Sequence, residues 1–269
     1  MADIHPSAIV GDGVRLGAGV RIGPFCLVEG EATLGDGVTL VSHAVVTGRS
    51  TVGEGTTIFP FACIGHRPQD LKYAGEPSTL SIGKNCVLRE YATVHPGTRG
   101  GGMHTSIGDE CLLMASTHVA HDCRLGNQVI MANGASLAGH VLVEDYAIIG
   151  GMVGAHQHLR IGRHAFVGGM SGLRKDVMPF SLVSGNPAYM ASVNTVGLKR
   201  RGFTHEQLHL LRSAYRSLFS EEGTLQERAE AVASEFAGSE LVDEILAFIR
   251  GHSSRSYTGP RSSGDLAEE

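Results

Sequence analysis

The residues best suited to chemistry in this chain are histidines, of which there are fourteen. His121, His140 and His156 follow Val119, Leu137 and Ala155, three positions spaced 18 residues apart, by two, three and one residues. The run His118-Val119-Ala120-His121-Asp122-Cys123 also sets a carboxylate beside one of them. Imidazole titrates near neutrality and is the natural general base there. A carboxylate on its other ring nitrogen would fix the tautomer and raise basicity. No Ser or Cys stands in a nucleophile-elbow context. The chemistry predicted is therefore a His base that activates a hydroxyl or amine to attack an activated acyl group, with no covalent intermediate. Gly139, at a glycine-rich corner, can offer a backbone N–H to the oxyanion. Two other readings stay open at this level: three His holding a zinc ion with water as fourth ligand, and a solenoid with no catalytic role. A second chemical feature is basic. Between residues 194 and 216, Lys199, Arg200, Arg201, Arg212 and Arg216 face a single acid, Glu206. Such a cluster suits phosphates or an acidic protein.

What positions these residues is a repeat. An aliphatic recurs every six positions from Ile4 to Ile64, resumes from Ile82 to Val94, and runs again from Ile107 to Leu173. Of the 26 hexads, 24 begin with Ile, Leu or Val. Four residues later comes a small residue or Val, with Leu159 the clear exception. Helical stripes recur at three to four residues and strands at two, so a period of six fits a short strand followed by a turn. Three such strands close an 18-residue triangular coil, and coils stack into a parallel β-helix. About nine coils at the spacing of hydrogen-bonded strands give a prism roughly 40 Å long. Cys26, Cys86, Cys111 and Cys123 take the small inward position, where Cys packs as a small hydrophobe. Gly often follows the aliphatic, and the Gly residues can supply turn geometry that other residues resist.

Two segments break the hexads, at about 66–79 and 99–105. Insertions at solenoid corners often map to the binding face; the glycine-rich second one also reads as a plain surface excursion. The β-helix is expected over 1–190 and an α-helical domain over 191–251, with helices from Thr204, from about Thr224 to Phe236 and from about Ser239 to Arg250. The helices would cap the open end of the prism. Thr204 and Gln207 make a capping box. The Ser-, Gly- and charge-rich residues 252–269 read as a disordered tail. Composition sets further bounds: 37 Gly, no Trp, 18% charged residues and net charge −5. That balance argues against nucleic-acid binding. No apolar run approaches a membrane span, so the protein is not an integral membrane protein. The N-terminus does not read as a signal peptide, and five Cys make no disulfide framework. The expected setting is cytoplasmic.

Together, the hexads, the stretch Gln69-Asp70-Leu71-Lys72-Tyr73-Ala74-Gly75-Glu76-Pro77, the run His118 to Cys123, Leu137-Ala138-Gly139-His140, Ile149-Gly150-Gly151 and Gly197-Leu198-Lys199-Arg200-Arg201-Gly202-Phe203 resemble the UDP-N-acetylglucosamine O-acyltransferase family of lipid A biosynthesis. The resemblance spans residue 4 to about 250. It implies a left-handed parallel β-helix with a C-terminal α-helical domain, a hand that periodicity does not reveal. It implies transfer of a 3-hydroxyacyl chain from acyl carrier protein to the 3-hydroxyl of UDP-N-acetylglucosamine, by a homotrimer with active sites between neighbouring β-helices. No metal or other cofactor is implied, because the acyl group arrives on the carrier's phosphopantetheine. The family's general base matches His121, with Asp122 beside it, and Gly139 matches the oxyanion donor. Asp70, Lys72, His118, His140 and Gln157 match sugar-contacting positions, with Gln69 in the same loop. His156 matches a position close to the acyl chain or sugar. Asn194, Arg200 and Arg201 match positions near the nucleotide and its phosphates. Gly169 falls where the family's acyl groove is limited, so a longer chain is expected. Pro187, Val196 and His158 depart from the family pattern; His158 stands where Phe is usual. A sister enzyme acting on an amino-sugar nucleotide, with an amide product, is the alternative.

Overall fold

A computed structural model describes residues 1–220, 223–251 and 253–261. Most hexads form a two-residue strand and a corner, and every third strand pairs in parallel with its counterpart one coil on. The result is a left-handed parallel β-helix with three faces. Face A starts with Asp3–Ile4 and Arg21–Ile22 and holds eleven strands; face B starts with Ile9–Val10 and holds nine; face C starts with Arg15–Leu16 and holds eight. Large aliphatics such as Leu34, Ile58, Leu88, Leu113 and Ile149 fill the prism and are fully buried, as are the four cysteines at the small inward positions.

The glycine expectation holds only in part. Gly19, Gly30, Gly37, Gly48, Gly55 and Gly134 supply positive φ at corners, but residues such as Phe25, His43 and Phe61 adopt it at others, so turn geometry does not depend on Gly alone. The Gly after the aliphatic serves a different purpose. A Cβ on Gly23 would lie 1.8 Å from the Val41 carbonyl oxygen, and one on Gly53 2.5 Å from the Gly83 backbone. These positions lack a side chain because one coil lies directly on the next.

Both insertions leave the prism at the edge between faces B and C. The first joins Cys63–Ile64 to Thr79–Ile82, and the second joins Thr93–Val94 to His104–Ile107. The second insertion is therefore 95–103 and not 99–105. His104 and Thr105 belong to a strand in register with Thr79 and Leu80, because Thr105 is itself a small inward residue, fully buried. Neither insertion disturbs stacking: Ile64 pairs with Val94, and Val94 with Val119.

The β structure runs on to an antiparallel hairpin, Ser181–Ser184 with Tyr189–Val193, three residues past the expected boundary. Helix α1 (Thr195–Arg200), unforeseen because it is only 6 residues long, is capped by Asn194. Helix α2 (His205–Leu218) starts at the Thr204–Gln207 capping box; α3 (Leu225–Glu235) and α4 (Glu240–Arg250) follow. Tyr215 of α2 is buried and its hydroxyl donates to the Pro179 carbonyl, which fastens the helices to the last coil. The tail expectation fails over 253–261. Ser253 Oγ donates to Asp176 Oδ2 at 2.7 Å, Thr258 N–H to the Asp176 carbonyl at 2.7 Å, and Thr258 is buried. Buried Asp176 offers acceptors that a polar segment can satisfy, a pairing invisible in composition. Residues 252 and 262–269 lie outside the described residues.

Candidate active site

The B/C edge brings the chemistry together. His121 and Asp122 sit at one corner, His140 at the next and His158 at the one after, all between a face B strand and a face C strand. His121 Nδ1 lies 2.8 Å from Asp122 Oδ2, and the Asp122 side chain is wholly buried. The same carboxylate accepts from Thr98 N–H at 2.9 Å and from Thr98 Oγ1 at 2.6 Å, while Asp122 N–H donates to Thr105 Oγ1 at 2.7 Å. A carboxylate held this way accepts a proton's hydrogen bond from His121 Nδ1–H. The neutral ring then keeps its lone pair on Nε2, the arrangement a general base needs.

The glycine-rich second insertion is the other half of this corner. Thr98 is its centre, with Gly101 N–H and Met103 N–H both donating to the Thr98 carbonyl. A Cβ on Gly101 would lie 2.0 Å from Asp122 Cγ. The segment is thus a wrap around the carboxylate and not a surface excursion. Thr98 escaped the sequence reading, although a hydroxyl in the small inward hexad position was a usable signal. So did Glu76 of the first insertion: its Oε1 accepts from Arg99 N–H at 3.0 Å and its Oε2 from Ala74 N–H at 2.8 Å, so it ties the two insertions together. The Arg99 amide, with the others, holds its carboxyl below the usual range.

A groove of about 620 Å³ opens beside His121, lined by His118, His121, Gly139, His156, Gln157 and Gln69 among others. Its floor on face B is Ser136, Gly154 and Gly172, in register on successive coils. A Cβ on Gly139 would meet His121 Cε1 at 2.5 Å and Nε2 at 2.7 Å, so the imidazole lies flat against that glycine. Among the described residues, no acceptor takes the Gly139 N–H. Base and amide donor are therefore side by side. His140 packs edge-on to His121, centroids 5.1 Å apart, and stacks on His158 at 4.3 Å. That stack gives His158 the role the sequence left blank: a flat ring, as Phe would be, behind His140. Burial lowers the His140 pKa, opposed by Asp122 and by Asp70 of the first insertion. His118 Nδ1 is 2.8 Å from Thr93 Oγ1, and burial, with His95 and His121 nearby, lowers its pKa to about 4. Lys72 is exposed; its N–H closes a turn on Asp70 Oδ1. Arg174, which the sequence reading did not select, also lines the groove.

Other expected residues lie elsewhere on the chain. Asn194 is buried, its side chain consumed by Gly197 N–H and the His164 carbonyl. Arg201 reaches Gln128 and covers the Tyr146 ring at 4.4 Å, on the C/A edge, and Arg200 is exposed in α1. Gly169 lies at the A/B edge, where Met152 and Met170 are also exposed. Among the described residues, His121, Asp122 and His140 are the one group with ligand atoms close enough for a metal ion. The Asp122 carboxylate in that group also accepts from Thr98 and His121.

This architecture recurs in solved structures. A Francisella novicida UDP-N-acetylglucosamine acyltransferase superposes with TM-score 0.91 at 33% identity, over 100% of this chain and 99% of that one. A Campylobacter jejuni UDP-N-acetylglucosamine acyltransferase gives 0.90 at 38% identity, over 96% and 100%. The family profile "UDP N-acetylglucosamine O-acyltransferase; Domain 2" matches residues 176–258. The acyl-[acyl-carrier-protein]--UDP-N-acetylglucosamine O-acyltransferase of Rhizobium johnstonii is 46% identical over 259 residues, 96% of this chain and 95% of its own length. The chain belongs to the UDP-N-acetylglucosamine O-acyltransferase family. It is an acyltransferase. No helix among the described residues is long and apolar enough to cross a membrane.

Two outcomes follow from this geometry. Gly101→Ala will displace the Asp122 carboxylate and lower kcat by about 100-fold, while Gly100→Ala, whose Cβ meets nothing within 4 Å, will not; steady-state acyl transfer by the two variants decides. The second concerns acid stability. The folded His118 pKa, about 4, is below its ordinary 6.5, so the unfolded chain binds more protons between those values. The stability this contributes is complete above pH 6.5 and is lost as pH falls towards 4. Urea midpoints of wild type and His118→Gln should converge with falling pH in that window; a constant gap would refute the assignment.

Proposed function

We propose that the chain transfers a 3-hydroxyacyl group from acyl carrier protein to the 3-hydroxyl of UDP-N-acetylglucosamine, the first step of lipid A biosynthesis, with His121 as general base. The observation that carries this is that the His121 imidazole lies against Gly139, whose N–H has no acceptor among the described residues, in a groove floored by Ser136, Gly154 and Gly172. Nε2 takes the proton of the sugar hydroxyl as its oxygen attacks the thioester carbonyl. The oxyanion is met by the Gly139 N–H. The C–S bond then breaks, and the imidazolium returns its proton to the departing phosphopantetheine thiolate. Products are the 3-O-acyl sugar nucleotide and free carrier thiol. Protons and electrons balance without a metal or other cofactor.

In this reading the sugar sits against Gln69, Asp70, Lys72, His118, His140 and Gln157, and His156 contacts the acyl chain or sugar. The depressed pKa of His118 suits a neutral hydrogen-bonding partner. The acyl chain crosses the outer side of face B towards Gly169. The reading includes a homotrimer in the cytoplasm. Phe25, Phe61, Tyr91, Met152 and Met170 are exposed at corners of the A/B edge, and an apolar row of that kind favours contact between copies. Arg200 and Arg201, with the Asn194 segment, would then serve the nucleotide in a neighbouring copy's groove or the acidic carrier.

Mass spectrometry of UDP-N-acetylglucosamine incubated with 3-hydroxyacyl carrier proteins of several lengths tests the reading. Wild type should form the acylated nucleotide, and His121→Ala should lose at least about 100-fold in rate. A product only from the 3-amino sugar nucleotide would replace the ester reading with the amide one. In the same series Gly169→Met should shift the preference to a shorter chain; an unchanged preference would remove Gly169 from the groove.

A further inference from the structure

The polar tail after α4 does more than cover the prism. Ser253 Oγ donates to Asp176 Oδ2, Asp176 N–H donates to the Ser256 carbonyl at 2.8 Å, and Thr258 N–H returns to the Asp176 carbonyl. Asp176 is fully buried and also accepts from Arg160 Nε at 2.8 Å, whose guanidinium lies 4.1 Å from the Phe248 ring of α4. Residues 253–258 are thereby pinned along the last coils at a fixed position. Between these anchors Arg255 points to the groove. Its Nη2 is 2.9 Å from His156 Nδ1 and 3.3 Å from the Gln157 carbonyl. His156 and Gln157 both line the groove.

We propose that Arg255 is a positioning residue for acyl transfer: carried in by the docked tail, it fixes His156 as the Nε2–H tautomer and so makes it a hydrogen-bond donor in the groove. Valence decides the tautomer. A guanidinium has donors only and does not lose its proton. The ring nitrogen facing it must therefore present a lone pair, which leaves the single imidazole proton on Nε2. His156 then donates to a substrate oxygen, a carbonyl or hydroxyl of the acyl chain or sugar. His121 has the opposite setting: a carboxylate at Nδ1 and a lone pair at Nε2.

The catalytic consequence rests on the acyl-transfer reading; the tautomer does not, and the test separates them. In protein labelled with [15N]histidine, long-range 15N NMR reports which ring nitrogen is protonated, and the His156 signals are those missing from His156→Gln. Wild type should show an unprotonated Nδ1 and a protonated Nε2, and Arg255→Met, which offers no donor, should show both tautomers. Arg255→Lys should restore the wild-type pattern in part. In the acyl-transfer assay Arg255→Met should lower kcat/KM about tenfold, the lower end of the cost of removing a histidine's orienting partner, and should cost nothing further in the His156→Gln background. Equal losses in both backgrounds would mean that Arg255 only holds the tail. A wild-type His156 protonated at Nδ1, or one unchanged by Arg255→Met, would overturn the proposal. If wild type acylates no sugar nucleotide, the functional reading fails while the spectra still decide the tautomer.

Discussion

Everything in this molecule depends on the register between coils. Strand residues one coil apart pair as Val119 with Leu137 and Leu137 with Ala155, so an 18-residue spacing in sequence becomes a vertical row in space. The row is held at backbone contact distance, as the missing side chains of Gly23 and Gly53 show. A solenoid stacked this closely cannot absorb extra residues inside a coil. It extrudes them at a corner, and both extrusions leave by the B/C edge. That common exit lets two segments far apart in sequence meet through Glu76 and Arg99 and close over the histidine row.

The buried Asp122 carboxylate converts this geometry into chemistry. An unpaired carboxylate taken wholly out of water is costly, and partners must meet its lone pairs. Here they are Thr98 N–H and O–H and His121 Nδ1–H. The same bonds that make burial tolerable orient the base, so stabilising the corner and preparing His121 are one interaction. Gly101 has a matching reason: its backbone comes closer to the carboxylate than a Cβ allows.

The fold was legible because period six has few physical solutions, and the C-terminal caps because Thr204 with Gln207 is a local signal. The gathering of His121, His140 and His156 along one edge was also legible, through 18-residue arithmetic. What stayed hidden depends on contacts between segments. Nothing near Thr98 in the sequence announces Asp122 as its partner. Nothing in Ser253-Ser254-Arg255 announces Asp176 and His156, and composition alone made that segment a loose tail. Asn194 and Arg201 show the reverse limit. The resemblance assigned them to a ligand, yet within one chain the Asn194 amide caps α1 and Arg201 lies over Tyr146.

Two histidines on one groove receive opposite instructions from their second-nitrogen partners. An acid at Nδ1 leaves His121 with a lone pair to accept a proton, and a guanidinium at Nδ1 leaves His156 with a proton to donate. Neither setting resides in the imidazole itself, which in water samples both tautomers. The partners come from different parts of the chain: Asp122 from the corner itself, stiffened by the second insertion, and Arg255 from a tail anchored beyond the helical cap. A prism with uniform walls thus acquires a directional site from elements outside its repeat. The repeat fixes where each ring stands, and the irregular segments decide which of its nitrogens carries hydrogen.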